Sequence, residues 1–123
     1  MIQAANEAKG DTKILGVSLL TSLDDCDTRE LYNNDFKKQF DNLINLAIET
    51  KIDGIVCSSQ ELDLIKDTSL IKVVPGIRNQ HTFDDQKRVM TSGEAYSKGA
   101  DYIVVGRPIT QAKDIEEAIK DYS

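Results

Sequence analysis

Four short apolar runs, separated by stretches of helical spacing, constrain this chain more than anything else in it. They are residues 14–20 (ILGVSLL), 55–57 (IVC), 70–74 (LIKVV) and 102–105 (YIVV). The last of these runs, rich in branched side chains and stopped by Gly106 and Pro108, reads as a strand buried on both faces, as in a parallel sheet. The segments between them carry the helical period. Across residues 35–51, Phe36, Phe40, Leu43, Ile44 and Ala47 recur at spacings of three and four and give one apolar face. Thr91 and Glu94 have the spacing of a capping box, and the helix they open ends at Gly99. Ser58 to Glu61 caps a helix reaching about Lys66, and residues 115–122 form a closing helix with Ile115, Ala118 and Ile119 inward.

The first nine residues have helical composition and stop at Gly10, but nothing caps their start, so they read as the last turns of a longer helix. Residues 21–30 read as a polar loop at the carboxyl end of the first strand. Its acids Asp24, Asp25 and Asp27 lack the glycine and terminal glutamate of a calcium loop and read as solvated. The order is thus one helix followed by four strand–helix units, which predicts an α/β fold of parallel β/α units. A complete eight-unit barrel takes about 250 residues. The 123 residues here make a single partial domain, half of such a barrel.

Charge and cysteine usage exclude several classes of function. A net charge of −6 disfavours broad attraction to nucleic acid or to an anionic membrane, so an anionic ligand needs a local basic site. Cys26 and Cys57 lie far apart and His81 is the sole histidine, which argues against a metal centre or a Cys/His nucleophile. With no signal peptide and no long apolar segment, a cytoplasmic location with reduced thiols is expected.

The strongest local signal for a site is Gly106-Arg107-Pro108 directly after the fourth run. Glycine lets backbone N–H groups come close to an anion, and arginine offers a planar fork of donors. A strand, a Gly-Arg pair and a helix start are the parts from which α/β barrels build a phosphate site. Read without further context, the same pair is equally an αβ turn with a surface arginine.

Five segments together resemble the orotidine 5′-phosphate decarboxylase family, whose members make UMP in pyrimidine biosynthesis. They are residues 20–22 (LTS), 54–61 (GIVCSSQE), 74–78 (VPGIR), 84–89 (DDQKRV) and 99–110 (GADYIVVGRPIT), in the family's order and spacing over nearly the whole chain. The resemblance implies the C-terminal half of a (β/α)8 TIM-type barrel, strands five to eight, entered within the helix after strand four. It implies a carboxy-lyase that needs neither metal nor organic cofactor.

Carried over position by position, Thr21 corresponds to the hydroxyl residue that reads the pyrimidine edge, and Pro75 to a proline lining the pocket beside the base. Gln86 corresponds to the glutamine of a mobile loop that reaches over the phosphate, and Arg78 to an arginine near that phosphate in bacterial members. Gly106 and Arg107 correspond to the backbone donor and the guanidinium that hold the phosphate. His81 matches no family role.

The family's chemistry is direct loss of CO2 from C6 of the pyrimidine, after which a lysine protonates the carbanion. That lysine belongs to an Asp-x-Lys-x-x-Asp array on strands one to three. The nearest match here, Asp35-Phe-Lys37, has Phe40 where the second acid should stand, with Asp41 one place late, and it lies on an amphipathic helix. No catalytic residue is therefore expected in this chain. It should be inactive alone and should either self-associate, as a dimer for example, or pair with a missing N-terminal half. Its expected ligand is orotidine 5′-phosphate or UMP. Alternatives are a non-enzymatic phosphate- or nucleotide-binding half-barrel, a fragment of a related sugar-phosphate decarboxylase, and a degenerate product without function.

Overall fold

The computed structural model describes residues 1–20, 23–79 and 90–123. Four strands form one parallel sheet in the order β1-β2-β3-β4: β1 is Leu15–Val17, β2 Gly54–Val56, β3 Ile71–Val74 and β4 Tyr102–Ile103. Each strand neighbours the next in sequence, so every crossover advances in one direction, as barrel strands do. Among the described residues no helix is long and apolar enough to cross a membrane.

Around the sheet run α1 (Ile2–Ala8), α2 (Asp25–Tyr32), α3 (Phe36–Glu49), a 3-10 turn at Ser59–Glu61 leading into α4 (Leu62–Ile65), α5 (Ser92–Ser97), α6 (Arg107–Thr110) and α7 (Ile115–Lys120). The signals read from sequence place most of these ends. Asp35 caps α3 by accepting from the Lys38 N–H, and Thr91 and Glu94 form the expected reciprocal box at α5. Ser58 and Glu61 form a second box, which opens a 3-10 turn ahead of the short α4. Gly10 and Gly99, with φ of +55° and +94°, follow α1 and α5 in the left-handed region that favours glycine.

The register separates the two faces of the sheet. Gly16, Ile55 and Lys72 lie side by side, as do Val74 and Ile103, and these positions face the helices. The core fills that side: Phe40, Ile44 and Ala47 of α3 and Leu62 and Ile65 of α4 pack with Ile55, Val74, Ile77 and Ala95. On the opposite face the rows are Leu15–Gly54–Ile71 and Val17–Val56–Val73–Tyr102. That face is open, with Val17 59 % exposed and Tyr102 62 % exposed.

Three expectations are corrected. The run 102–105 is not buried on both faces, with Tyr102 exposed, because among the described residues helices cover only one side of the sheet. Residues 25–32 are helical instead of a loop: the Asp24 side chain accepts from the Cys26 and Asp27 N–H groups, and Asp27 accepts in return from the Asp24 N–H. The acids taken as merely solvated are thus a cap, and Asp25 adds a 3.0 Å ion pair with Arg29 one turn on. Finally, Ile115 and Ile119 of α7 are exposed and Ala118 is half-buried, since the face they present meets no covering element among the described residues.

Asp53 ties α1 to the amino end of the sheet. It receives the Lys9 ammonium at 2.6 Å and the Ile14 N–H at 2.7 Å. The Asn6 amide donates to the Thr50 and Lys51 carbonyls beside it. The Lys9 hydrogen bond, then that of the Ile14 N–H, hold the Asp53 carboxyl below its ordinary range.

Candidate functional site

Parallel strands bring their carboxyl ends to one rim, and four of the six residues singled out from sequence stand on it. Pro75 follows the last residue of β3, while Gly106 and Arg107 follow β4, its neighbour in the sheet. The two exits are tied together where the Val104 N–H donates to the Val74 carbonyl at 2.8 Å. Thr21 and Gln86 lie outside the described residues, as does His81.

The β3 exit is firmly built. Gly76 takes a φ of +75°, turning the chain so that Ile77 drops into the core with no exposure. Ile77 bridges to Met90, and the Arg78 N–H donates to the Met90 carbonyl at 3.0 Å. The Arg78 guanidinium donates through Nη1 to the Ile77 carbonyl at 2.8 Å, which draws the side chain back along its own turn.

The β4 exit is more open. The Gly106 carbonyl accepts from the Ile109 and Thr110 N–H groups at 2.9 and 3.0 Å, which starts α6, and Pro108 sits in its first turn where no N–H is needed. The Gly106 φ of −100° does not require glycine. What glycine leaves is room, because a side-chain carbon there would meet nothing within 4 Å. Arg107 stands exposed beside it.

Behind the rim, at the end of β2, lies a buried polar cluster. Glu61, almost wholly buried, accepts from the Ser58 N–H at 2.7 Å, and the Ser59 hydroxyl is buried with no hydrogen-bond partner among the described residues. Burial pushes the Cys57 thiol up to about 12; Glu61 adds to the effect and Lys72 opposes it. A thiol held protonated in this way is no nucleophile at neutral pH. Among the described residues Lys72 is the one buried lysine, and it lies on the helix side of β3. Its ammonium donates to the Thr68 and Leu70 carbonyls, on the amino side of the strand and away from the rim.

The sequence reading passed over Asn79. Its N–H donates to the Tyr122 hydroxyl, its amide donates to Ser92 Oγ and to the Asp121 carbonyl, and its Oδ1 accepts from the Ser92 N–H. One side chain thus joins the β3 exit to the start of α5 and to the last residues of the chain. Its partners lie 13 and 42 residues away, so no local pattern could have revealed it.

A parallel half-barrel sheet with a Gly-Arg pair at one strand exit and a Pro-Gly-Ile-Arg turn at the next invites comparison with known barrels. The sequence profile of the orotidine 5′-phosphate decarboxylase / HUMPS family matches residues 1–122. The chain belongs to that family. It is 42% identical over 98% of its length to the orotidine 5′-phosphate decarboxylase of Aquifex aeolicus, and 43% identical over 98% to that of Streptococcus pneumoniae. It spans about half the length of these relatives, 56% in both cases.

Solved structures agree on the fold. The orotidine 5′-phosphate decarboxylase of Lactobacillus acidophilus superposes with a TM-score of 0.77 at 28% identity, over 99% of this chain and 58% of that one. The Pyrococcus horikoshii orotidine 5′-phosphate decarboxylase superposes with a TM-score of 0.68 over 53% of its length, and at 24% identity it speaks for the fold alone. The four-stranded sheet is accordingly half of the TIM barrel seen in these decarboxylases.

Proposed function

We propose that this chain is the C-terminal half of an orotidine 5′-phosphate decarboxylase: it holds the substrate's phosphate and part of its pyrimidine, and other residues supply the chemistry. The observation that carries this reading is the shared rim of β3 and β4, on which Pro75, Arg78, Gly106 and Arg107 all stand in a chain matched to the family over residues 1–122. In this reading the Gly106 backbone and the Arg107 guanidinium take the phosphate, with Arg78 near it, while Pro75 lines the base pocket. Thr21 reads the pyrimidine edge and Gln86 reaches the phosphate from its loop.

In the decarboxylation, the C6–CO2 bond breaks and its electron pair stays on C6 until a proton arrives. A carboxylate near the departing group and an ammonium ready to give that proton would lower the barrier, because both meet charge that develops in the transition state. No residue of this chain is assigned either task. Lys72 is engaged away from the rim, and the Asp35–Lys37 pair lies at the start of α3, with Lys37 bound to Asp41 at 2.9 Å. Phosphate held at a distance from C6 would still contribute to catalysis by using binding energy to position the base.

The deciding experiment follows orotidine 5′-phosphate by its ultraviolet absorbance, with the chain alone and then with a separately made N-terminal half of a relative. No turnover alone and turnover with the added half is the expected outcome. Turnover by the chain alone that Arg107→Ala abolishes would refute the division of labour. Arg107→Ala should also weaken UMP binding by about 1.5–3 kcal/mol, the range for a hydrogen bond to a charged group. An unchanged affinity would remove Arg107 from the site.

A further inference from the structure

Asn79 follows Arg78 directly, and its amide is engaged by two other parts of the chain. Oδ1 accepts from the Ser92 N–H at 2.8 Å, while Nδ2 donates to Ser92 Oγ at 3.0 Å and to the Asp121 carbonyl. A backbone N–H can meet only the oxygen of an amide, so the Ser92 bond fixes which way the Asn79 side chain is turned. Ser92 is the first residue of α5, where an N–H has no partner within its own helix, and Asn79 supplies that partner. The backbone N–H of Asn79 donates to the Tyr122 hydroxyl at 3.2 Å, and the Tyr122 ring packs against the core.

These bonds flank Arg78 on one side, and a different clamp flanks it on the other. Ile77 is wholly buried and bridges to Met90, and the Arg78 N–H donates to the Met90 carbonyl at 3.0 Å. Arg78 therefore stands between a residue held by apolar burial and one held by hydrogen bonds. A long arginine side chain reaches an anion at low entropic cost only if the backbone it starts from is already fixed.

We infer that Asn79 is a positioning residue for phosphate binding. It ties the β3 exit to the start of α5 and to residues 121–122, so that Arg78 starts from a fixed point at the rim. The inference rests on the reading in which the rim holds a phosphate with Arg78 near it, and it adds Asn79, Ser92 and Tyr122 as the support of that arginine. Asn79 itself touches no ligand and acts through Arg78. A clamp that served the fold alone would change the melting temperature and leave the affinity of the folded chain as it was.

Calorimetric titration of the full chain with UMP tests this, at a temperature where circular dichroism shows each variant folded. Asn79→Ala should weaken binding about tenfold, the low end for losing a hydrogen bond to a charged group. Tyr122→Phe keeps the ring and removes one tie, and should weaken binding about threefold, the worth of a single neutral hydrogen bond. In an Arg78→Ala background neither change should cause a further loss, because the residue through which they act is gone. Losses of the same size with and without Arg78 would overturn the inference, as would an unchanged affinity beside a lowered melting temperature. If Asn79→Ala does not fold, Tyr122→Phe carries the same comparison with the same two overturning results. Arg107→Ala separates this inference from the reading beneath it. A loss in Arg107→Ala with none in Asn79→Ala or Tyr122→Phe would leave that reading standing and remove Asn79 from its support. Absence of UMP binding by the parent chain, or equal binding by the parent and Arg107→Ala, would take away both.

Discussion

The two faces of the sheet are built from the same residue types and have opposite environments. Ile55, Val74 and Ile103 on one face and Val17, Val56 and Val73 on the other are all branched, apolar and one residue out of phase. The first set lies under α3, α4 and α5, with Val74 wholly buried; in the second set Val17 is more than half exposed. The strand sequences therefore describe a two-sided environment of which the described residues supply one side. A branched apolar run certifies only that burial suits the strand, not that the burial is provided locally.

Phe40 and Val17 put the largest expected difference between the faces to the test. Phe40 on α3 is completely buried and stacks on Phe36 with ring centroids 6.4 Å apart. Phe40→Ala should cost about 3–5 kcal/mol in urea unfolding. Val17→Ala, measured at concentrations too low for association, should stay within about 0.5 kcal/mol. A Val17 cost approaching that of Phe40 would break the comparison, because the open face would then be covered within one chain.

Two glycines sharpen it. A side-chain carbon at Gly54, on the open face, would stand 2.5 Å from the Ile71 carbonyl oxygen, which is backbone and cannot move away. At Gly16, on the covered face, it would meet the Ile52 and Ile55 side-chain ends at 2.8 and 3.3 Å, and these can turn aside. Gly54→Ala should cost about 1–3 kcal/mol, and Gly16→Ala clearly less. A smaller cost at Gly54 than at Gly16 would mean that openness of a face, and not the rigidity of the nearest atom, decides the tolerance.

The smallest expected effect lies at the amino end of the sheet, where Lys9 at the end of α1 meets Asp53. A carboxyl whose value is lowered in the fold stabilises above its unfolded value and loses that contribution as pH falls through the folded value. Asp53, with an ordinary value of 3.8, should therefore help at neutral pH and cease to help in acid. Asp53→Asn should lower the melting temperature near neutrality, with the gap to the parent closing as the pH drops below that value. A gap that stays constant would assign the effect to packing instead of the Lys9 pair.

How far local sequence can be trusted is plain from the caps. Thr91 with Glu94, Ser58 with Glu61, and the left-handed glycines at 10 and 99 do their work within one turn of chain, so spacing alone reveals them. Asp24 with Asp27 uses the same device with a shorter acid, which the usual Ser/Thr-to-Glu pattern does not cover, and α2 was hidden by it. The rim positions of Pro75, Arg78, Gly106 and Arg107 were legible because Pro75 follows β3 directly and the others come within four residues of a strand end. Asn79 was not, since its role depends on Ser92, Asp121 and Tyr122 arriving from distant parts of the chain.

The sequence by itself thus determined the number and order of the β/α units, most helix starts and stops, the residues at the strand exits and the family resemblance. These follow from periodicity, capping and motif spacing, all of which act over a few residues. Only the tertiary structure decided which face of each strand is covered, that β3 and β4 present their exits side by side, and that Ile115 and Ile119 stay exposed. Those outcomes depend on which elements are there to pack against, and an apolar side chain buries itself only where a partner surface exists.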